Sequence, residues 1–172
     1  MQVRRTDTTT VTLRPLATDD VEFIYRLRSD TTAGLFNGRT PYRYRRQALD
    51  FVRAALHEVA CEALHYWIVE RAGTPVGTIC LWNFDEPTRT VEVGYEILPE
   101  YRRRGFATAA LRTVLEFAGG QARFAAVEAY VHADNAASHK MLRREGFVRT
   151  ELPPDEVTER PPDFVRLVRK MS

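Results

Sequence analysis

The stretch from residue 90 to residue 120 joins an alternating strand, an arginine-rich turn and an amphipathic helix without a break. In residues 90 to 97, apolar side chains alternate with polar ones that include Glu92 and Glu96, which is the period of a strand with one core face. After the turn, apolar residues recur at helical spacing until a Gly-Gly pair at 119 and 120 ends the pattern. This order predicts a strand and a helix that are neighbours, with the turn at the start of the helix.

The turn itself is suited to binding an anion. A helix start exposes backbone N–H groups without partners and carries the positive end of the helix dipole, so a phosphate group placed there is stabilised. Gly105 permits a positive φ or a close backbone approach. The residues around it are either positively charged or small: Arg102, Arg103, Arg104, Ala107 and Thr108. For three arginines alone, the alternative is a solvated basic cluster.

Length and composition limit the class of protein. With 172 residues, the chain is long enough for one domain with its own core, which we expect to span residues 1–172. Its net charge of +2 does not favour a nucleic-acid partner or a membrane surface. Cys61 and Cys80 lack metal-type spacing, and no apolar run approaches the ~20 residues of a membrane span. The N-terminus has no signal core, so we expect a cytoplasmic protein without a metal site.

The remaining segments predict further strands and helices. A first strand at residues 10–16 leads into a helix capped by Thr18 or Asp19. After a loop at 34–38, Thr40 and Pro41 start a second helix. The other predicted elements are strands at 65–71, 76–84, 125–131, 147–152 and 164–168, a helix at 136–145 and a loop at 153–162.

Glu92 and Glu96 share the polar face of the strand at residues 90 to 97. Glutamate is uncommon inside strands, and this pair leads directly into the anion-binding turn. The pair is therefore a hint of a functional site. The alternative for each is an exposed sheet face or a cross-strand ion pair.

A second strand-to-helix junction follows at residues 132 to 138. Asn135 can cap this helix by accepting a hydrogen bond from the N–H group of Ser138, and its amide can also bind an extended ligand. Ser138 can donate a hydrogen bond to a thiolate or a phosphate, although capping alone also places serines in such turns. Two helix starts are therefore expected near one edge of the sheet.

Taken together, these motifs resemble the GNAT superfamily of acyl-CoA N-acyltransferases, and most of all its RimJ/RimL-like branch of ribosomal-protein-alanine acetyltransferases. Residues 102–107 match the family's phosphate loop, in which Arg or Gln is followed by two residues, Gly, one residue, and Gly or Ala. Residues 92–95 and 99–101 resemble the branch's strand entering that loop. Residues 135–138, followed by 141–147, resemble its second motif.

The resemblance implies an α/β (α+β) fold, with a bent, mixed and mostly antiparallel sheet of about seven strands flanked by about four helices. It implies acetyl-CoA as co-substrate, with the pantetheine arm in a gap where the fourth and fifth strands splay apart. Backbone groups of Ile97 and Leu98 would pair with that arm, and N–H groups of residues 103–108 would bind the pyrophosphate. The implied cofactor-binding residues are Ile97, Leu98, Arg102, Arg103, Arg104, Gly105, Phe106, Ala107, Thr108, Asn135 and Ser138.

The resemblance also implies direct attack of an amine on the thioester. Glu92 or Glu96 is the candidate base, directly or through water. The loop at 153–162 supplies further candidates for substrate binding or for the base: Asp155, Glu156 and Glu159. Many family members protonate the CoA sulfur with a tyrosine four positions before the glycine that closes the last helix. Leu142 stands at that position, which agrees with the RimJ/RimL-like pattern and shifts the role to Ser138, as hydrogen-bond donor to the thiolate.

The expected activity is therefore N-acetylation of a primary amine by a monomer or homodimer. The acceptor would be a protein N-terminus or a small molecule such as an aminoglycoside or a polyamine. The alternative from another class is a non-catalytic acyl-CoA-binding or interaction domain. A nucleotide-binding protein is disfavoured because the turn lacks the Gly-Lys-Ser/Thr ending of a P-loop and the chain contains no Gly-x-Gly-x-x-Gly.

Overall fold

The computed structural model describes residues 9–151 and 162–171 of the chain. In them, a seven-stranded sheet has the order β1-β2-β3-β4-β5-β7-β6, and every neighbouring pair is antiparallel except β4 and β5. The strands are β1 (Thr12–Pro15), β2 (His65–Arg71), β3 (Thr74–Asp85), β4 (Thr90–Ile97), β5 (Ala126–His132), β6 (Val148–Thr150) and β7 (Phe164–Lys170). The mixed, mostly antiparallel sheet implied by the sequence is confirmed.

Five α-helices accompany the sheet in the described residues, where about four were expected. They are α1 (Val21–Arg28), α2 (Thr31–Phe36), α3 (Arg45–Ala60), α4 (Phe106–Gly119) and α5 (Ala136–Arg144). The helix predicted after the arginine-rich turn is confirmed as α4, with Gly105 as its N-cap. Within these residues, none of the helices has the length and apolarity needed to cross a bilayer.

The two faces of the sheet are covered by different helices. On one face, Leu111 and Val114 of α4 are fully buried in a cluster with Ile79 of β3. On the other face, Ile24 of α1 and Val52 of α3 are buried in a second cluster, which includes residues of β2. The apolar faces of these helices thus exclude water from both sides of the sheet, and a ligand must enter where the strands separate.

β4 and β5 pair over only part of their length. Their parallel register runs from Thr90 opposite Ala126 to Glu92 opposite Glu128. Beyond that point β4 continues beside β3 to Ile97, while β5 continues beside β7. A gap therefore opens between the carboxyl halves of the two strands, as the resemblance implied.

The prediction for the segment after α1 was wrong in two respects. The loop expected at 34–38 is partly the helix α2, and α3 begins at Arg45 rather than at Thr40 and Pro41. Gly34 lies inside α2. A larger residue would not fit at this position, because its side chain would come within 2.9 Å of the Pro41 ring. Glycine at this position allows the following segment to pack closely and does not mark a loop.

The capping prediction for α1 was also wrong. A 3-10 turn, Thr18–Asp20, precedes α1, and neither Thr18 nor Asp19 caps the helix. Instead, the Asp20 side chain accepts a hydrogen bond from the N–H group of Ala17 at 2.8 Å and forms an ion pair with Arg14 at 2.6 Å. Thr18, Asp19 and Asp20 are three consecutive residues whose side chains can accept a hydrogen bond. The contact with Arg14, which is distant from the helix start in the local pattern, determines that Asp20 is the one that bonds to the backbone.

Candidate active site

The turn before α4 is shaped as an anion-binding cradle. Gly105 has φ +82°, and Arg103 has φ +62°, so two residues close together adopt the left-handed conformation that curls backbone N–H groups inwards. Within the described residues, the N–H groups from Arg103 to Thr108 have no protein acceptor, and the first helical bond that returns to the turn is Ala109 N–H to the Gly105 carbonyl. These donors are free to bind a pyrophosphate.

The three arginines of the turn have different surroundings. The Nε group of Arg102 donates to the Ile97 carbonyl oxygen at 2.9 Å, and its guanidinium forms an ion pair with Asp30, the residue that caps α2. Arg103 and Arg104 are exposed. Arg102 therefore ties the turn to α2, whereas Arg103 and Arg104 offer positive charge to solvent or to a ligand.

The cradle opens into a cavity of about 400 Å³ beside the end of β4, where β4 no longer pairs with β5. Its walls combine α2, the end of β4, the turn and the start of α5. The sequence-predicted site residues in its lining are Glu96, Ile97, Arg102, Arg103, Gly105, Phe106, Ala107, Thr108, Asn135 and Ser138. The Phe106 side chain is 3% exposed and belongs to the core, so this residue offers mainly its backbone N–H group to a ligand.

The free edge of β4 faces this gap. The N–H group of Leu98 donates to the Val76 carbonyl of β3 at 2.9 Å, and the Leu98 carbonyl accepts from Tyr101. Because hydrogen-bonding groups alternate along a strand, those of Tyr95 and Ile97 point away from β3. The backbone N–H and carbonyl groups of Leu98, named from the resemblance, are both bonded within the protein. Because the Ile97 carbonyl accepts from Arg102, the groups left available along this edge of the described strand are those of Tyr95 and the N–H group of Ile97.

The start of α5 has the predicted cap. The Asn135 side chain accepts from the N–H group of Ser138 at 3.2 Å, which confirms the capping interpretation. The side chain of Ser138 lines the same cavity. The end of this helix is tied to α4 by an ion pair between Arg112 and Glu145 at 2.7 Å, so the second motif is held in place against the first.

Tyr95 is a functional candidate that the sequence analysis placed only on the core face of β4. Its hydroxyl oxygen is buried and has no hydrogen-bond partner of normal length in the part of the chain described. Burial raises the pKa of Tyr95 to about 12, and the neighbouring Ser138 hydroxyl offsets part of that rise. An unsatisfied buried hydroxyl in a ligand cavity is a group that a ligand can pair with.

Glu92 and Glu96 lie on one face of β4, as predicted, but that face is buried rather than exposed. The two residues are 6% and 8% exposed. Glu96 forms an ion pair with Arg39, a partner that lies in the segment following α2 and that sequence spacing did not indicate. Burial raises the pKa of Glu96, although Arg39 and Arg28 oppose the rise, so this carboxylate is a stronger base than a solvated one.

Both carboxylates face a second cavity, of about 520 Å³, on the other side of β4. It is bounded by α1, α3, β3 and the start of β7, and its lining includes Tyr66, Cys80, Trp82, Tyr130 and Phe164. Asn37, Tyr95 and Glu96 line both this cavity and the one next to the cradle. The two cavities therefore meet at Tyr95 and Glu96. Asp155, Glu156 and Glu159, the other acids named from the sequence, lie outside the described residues.

Comparisons with known proteins agree with the fold and the motifs described above. The acetyltransferase (GNAT) domain model matches residues 10–148. The chain is 29% identical over 145 residues to the uncharacterized N-acetyltransferase YoaA of Bacillus subtilis (strain 168), an alignment that covers 82% of this chain and 81% of that protein.

Two solved structures share the fold. Spermidine N-acetyltransferase from Vibrio cholerae, in complex with CoA and spermine, has a TM-score of 0.79 at 20% identity and covers 94% of this chain and 95% of its own. The acetyl transferase from Salmonella typhimurium that modifies the N-terminal serine of 50S ribosomal subunit protein L7/L12 has a TM-score of 0.82 at 14% identity, with 96% and 97% covered. At these identities the likeness concerns the fold.

Proposed function

The chain belongs to the GNAT acetyltransferase family and is an N-acetyltransferase; we propose that it transfers acetyl from acetyl-CoA to a primary amine by direct attack in a ternary complex. The acceptor is a small-molecule amine or a protein N-terminus. The observation that carries the proposal is that a cradle of free N–H groups leads through one cavity to Tyr95 and Glu96, where a second cavity begins. The motifs around residues 92–107 and Leu142 favour the RimJ/RimL-like branch.

The binding of CoA uses backbone groups first. The N–H groups of residues 103–108 and the start of α4 bind the pyrophosphate, and Arg103 and Arg104 add positive charge. Backbone groups of Tyr95 and the N–H group of Ile97 pair with the pantetheine arm along the free edge of β4, as an added strand would. Asn135 and Ser138 border the arm from α5. Acetyl-CoA supplies the thioester carbonyl that the amine attacks, and CoA leaves as the thiolate.

Two carboxylates are placed to accept the proton of the attacking ammonium. Glu92 and Glu96 face the acceptor cavity, and the raised pKa of Glu96 brings its basicity closer to neutral pH. On the other side of β4, the hydroxyls of Ser138 and Tyr95 donate hydrogen bonds to the thiolate. Because a thiol has an ordinary pKa of about 8.5, stabilisation of the thiolate is sufficient for its departure.

Turnover with acetyl-CoA and a panel of amines tests the activity. Release of free thiol that depends on the amine, together with the acetylated product by mass spectrometry, supports the proposal. Tight CoA binding by calorimetry, with no thiol release above the acceptor-free rate for any amine, would instead support a non-catalytic acyl-CoA-binding domain.

The base is identified by pH profiles of Glu92→Gln and Glu96→Gln, with Glu116→Gln on the exposed face of α4 as the control. A base acts when deprotonated, so kcat/KM rises with pH through its pKa. If Glu96 is the base, that rise lies above the ordinary value of 4.5 and is lost in Glu96→Gln. A rise that persists in Glu96→Gln and is lost in Glu92→Gln assigns the role to Glu92.

A further inference from the structure

Arg28 is a charged side chain of the acceptor cavity that has no role in the mechanism above. Arg28, the last residue of α1, extends into the cavity wall beside Tyr66 and Glu96. Its guanidinium carbon lies 3.6 Å from the centroid of the Phe51 ring, and Nη1 donates to the Tyr42 hydroxyl at 3.3 Å. These contacts fix the guanidinium against aromatic groups without neutralising its charge.

Arg28 lacks a carboxylate partner in the described part of the chain. No ion pair there includes it, and its Nε–H group is buried without a hydrogen-bond acceptor. Glu96 attracts it electrostatically but is already bonded to Arg39. A largely buried cation without a counter-ion of its own is costly to maintain in a folded protein, so its place in the lining of a ligand cavity points to an anionic group on the ligand.

We propose that the acceptor is an amine that also carries an anionic group, such as a carboxylate, and that Arg28 binds this group. This inference rests on the function proposed above. A carboxylate accepts two parallel hydrogen bonds from the fork of a guanidinium and neutralises its charge. A polyamine would bring a second ammonium towards a guanidinium and would be repelled there.

The rest of the cavity fits an acceptor with an apolar body. Tyr66, Trp82, Tyr130 and Phe164 line it, and Trp82 is 42% exposed, so an aromatic or long aliphatic side chain has apolar surface to contact. Glu92 and Glu96 take the ammonium, and Glu58, which also lines the cavity, is exposed on α3. A hydrophobic α-amino acid has this combination of groups.

The test compares acceptors that differ only in the anionic group. L-Phenylalanine and L-leucine are assayed beside L-phenylalaninamide, L-leucinamide, 2-phenylethylamine and spermidine. We expect kcat/KM for the acids to exceed that for their amides by about tenfold to a hundredfold, the effect of a charge-assisted pair in a desolvated site. The amino groups of the amides are less basic than those of the acids, so a larger fraction of them is deprotonated and reactive at neutral pH. A preference for the acids therefore cannot come from the protonation state of the amine.

Variants locate the effect at Arg28. Arg28→Met should lower the ratio of kcat/KM for the acids to that for their amides by about tenfold or more and leave CoA affinity unchanged. The ratio is the readout because Arg28 also lowers the pKa of Glu96, which affects both kinds of acceptor alike. Arg28→Lys should restore part of the preference. Arg53→Met, an exposed arginine of α3, is the matched control. If Arg28→Met does not fold, the comparison of acids with amides in the native protein decides by itself.

The outcomes separate this inference from the function it rests on. Equal or better turnover of the amides, of 2-phenylethylamine or of spermidine overturns the inference and leaves the N-acetyltransferase mechanism in place. CoA binding without turnover of any amine overturns both. Preference for the acids that persists in Arg28→Met also overturns the assignment to Arg28.

Discussion

At the scale of single residues, Gly105 carries the strongest requirement in the cradle. Its φ of +82° suits glycine, and it sits where the N–H groups converge. We predict that Gly105→Asp weakens CoA binding by at least about tenfold, or about 1.4 kcal/mol, because it places a negative side chain at the phosphate position and strains the backbone. Isothermal titration calorimetry with CoA measures the loss.

Gly73 provides the matched control for Gly105. It has a φ of +77° in the turn between β2 and β3, and a side chain there would meet nothing within 4 Å. Gly73→Asp therefore carries a similar backbone strain without touching the cradle, and we expect its CoA affinity to match the native protein. Unchanged affinity in Gly105→Asp would show that the pyrophosphate binds elsewhere.

Ser138 and Tyr95 are neighbours in the lining of one cavity and are the proposed donors to the CoA sulfur. We predict that Ser138→Ala and Tyr95→Phe each lower kcat by about tenfold, at the low end for general acid–base groups because a thiolate leaves readily. CoA affinity should stay within about twofold, and the double variant should lose less than the product of the two effects, since the hydroxyls are neighbours. Steady-state kinetics beside Tyr44→Phe, an exposed tyrosine, gives the comparison.

Tyr95 is predicted to act without titrating itself. With its pKa raised to about 12, the hydroxyl stays protonated across the working range, so the Tyr95→Phe variant should keep the pH profile of the native protein and lose only amplitude. A variant with full turnover would remove its hydroxyl from the mechanism, and the same result for Ser138 would remove Ser138.

At the scale of elements, the arginine-rich turn combines one arginine paired within the protein with two exposed arginines. We predict that Arg103→Ala and Arg104→Ala each weaken CoA binding by about threefold to tenfold and reduce its dependence on salt, because exposed charges act through screened attraction. Arg102→Ala should instead destabilise the fold by about 1–3 kcal/mol, since it leaves Asp30 without its ion-pair partner.

Calorimetry at two salt concentrations and urea unfolding separate these roles. Arg53→Ala, exposed on α3, controls for the change in net charge. If Arg102→Ala keeps the native stability and loses the salt dependence of CoA binding, Arg102 contacts the phosphates directly and the anchoring role is wrong.

The elements of this fold were predictable where their pattern is local. β4 follows its period-two alternation from Thr90 to Ile97, and α5 follows its Asn135 cap. The segment that includes α2 could not be predicted in this way. Its Gly34 is required by the close approach of Pro41, and no periodic pattern in the sequence relates these two residues. Likewise, the burial of Glu96 depends on Arg39, whose place is fixed by the chain path after α2. Cavity-lining residues that belong to the motifs were named from the sequence, and those brought to the cavities by packing, such as Arg39, were not.

At the scale of the whole molecule, the two cavities share a wall, since Asn37, Tyr95 and Glu96 border both spaces. In the proposed mechanism, CoA and acceptor occupy these two spaces together and react across one strand. Helix α4 covers one face of the sheet, and α1 and α3 cover the other. The separated ends of β4 and β5 are therefore left as the passage between the two cavities. The sheet topology thus provides proximity, which is the main contribution required for acyl transfer between two bound reactants.

This arrangement predicts sequential kinetics without an acyl-enzyme. Cys80 lines the acceptor cavity. Burial raises the pKa of its thiol to about 12, so the thiol is not ionised near neutral pH and is a weak nucleophile. We expect intersecting lines in two-substrate initial-rate plots, no acetyl adduct by intact mass after incubation with acetyl-CoA alone, and a kcat for Cys80→Ala within about twofold of the native value. Cys61→Ala controls for acylation of an exposed thiol. Parallel lines, with an adduct that disappears in Cys80→Ala but not in Cys61→Ala, would instead establish a covalent intermediate on Cys80.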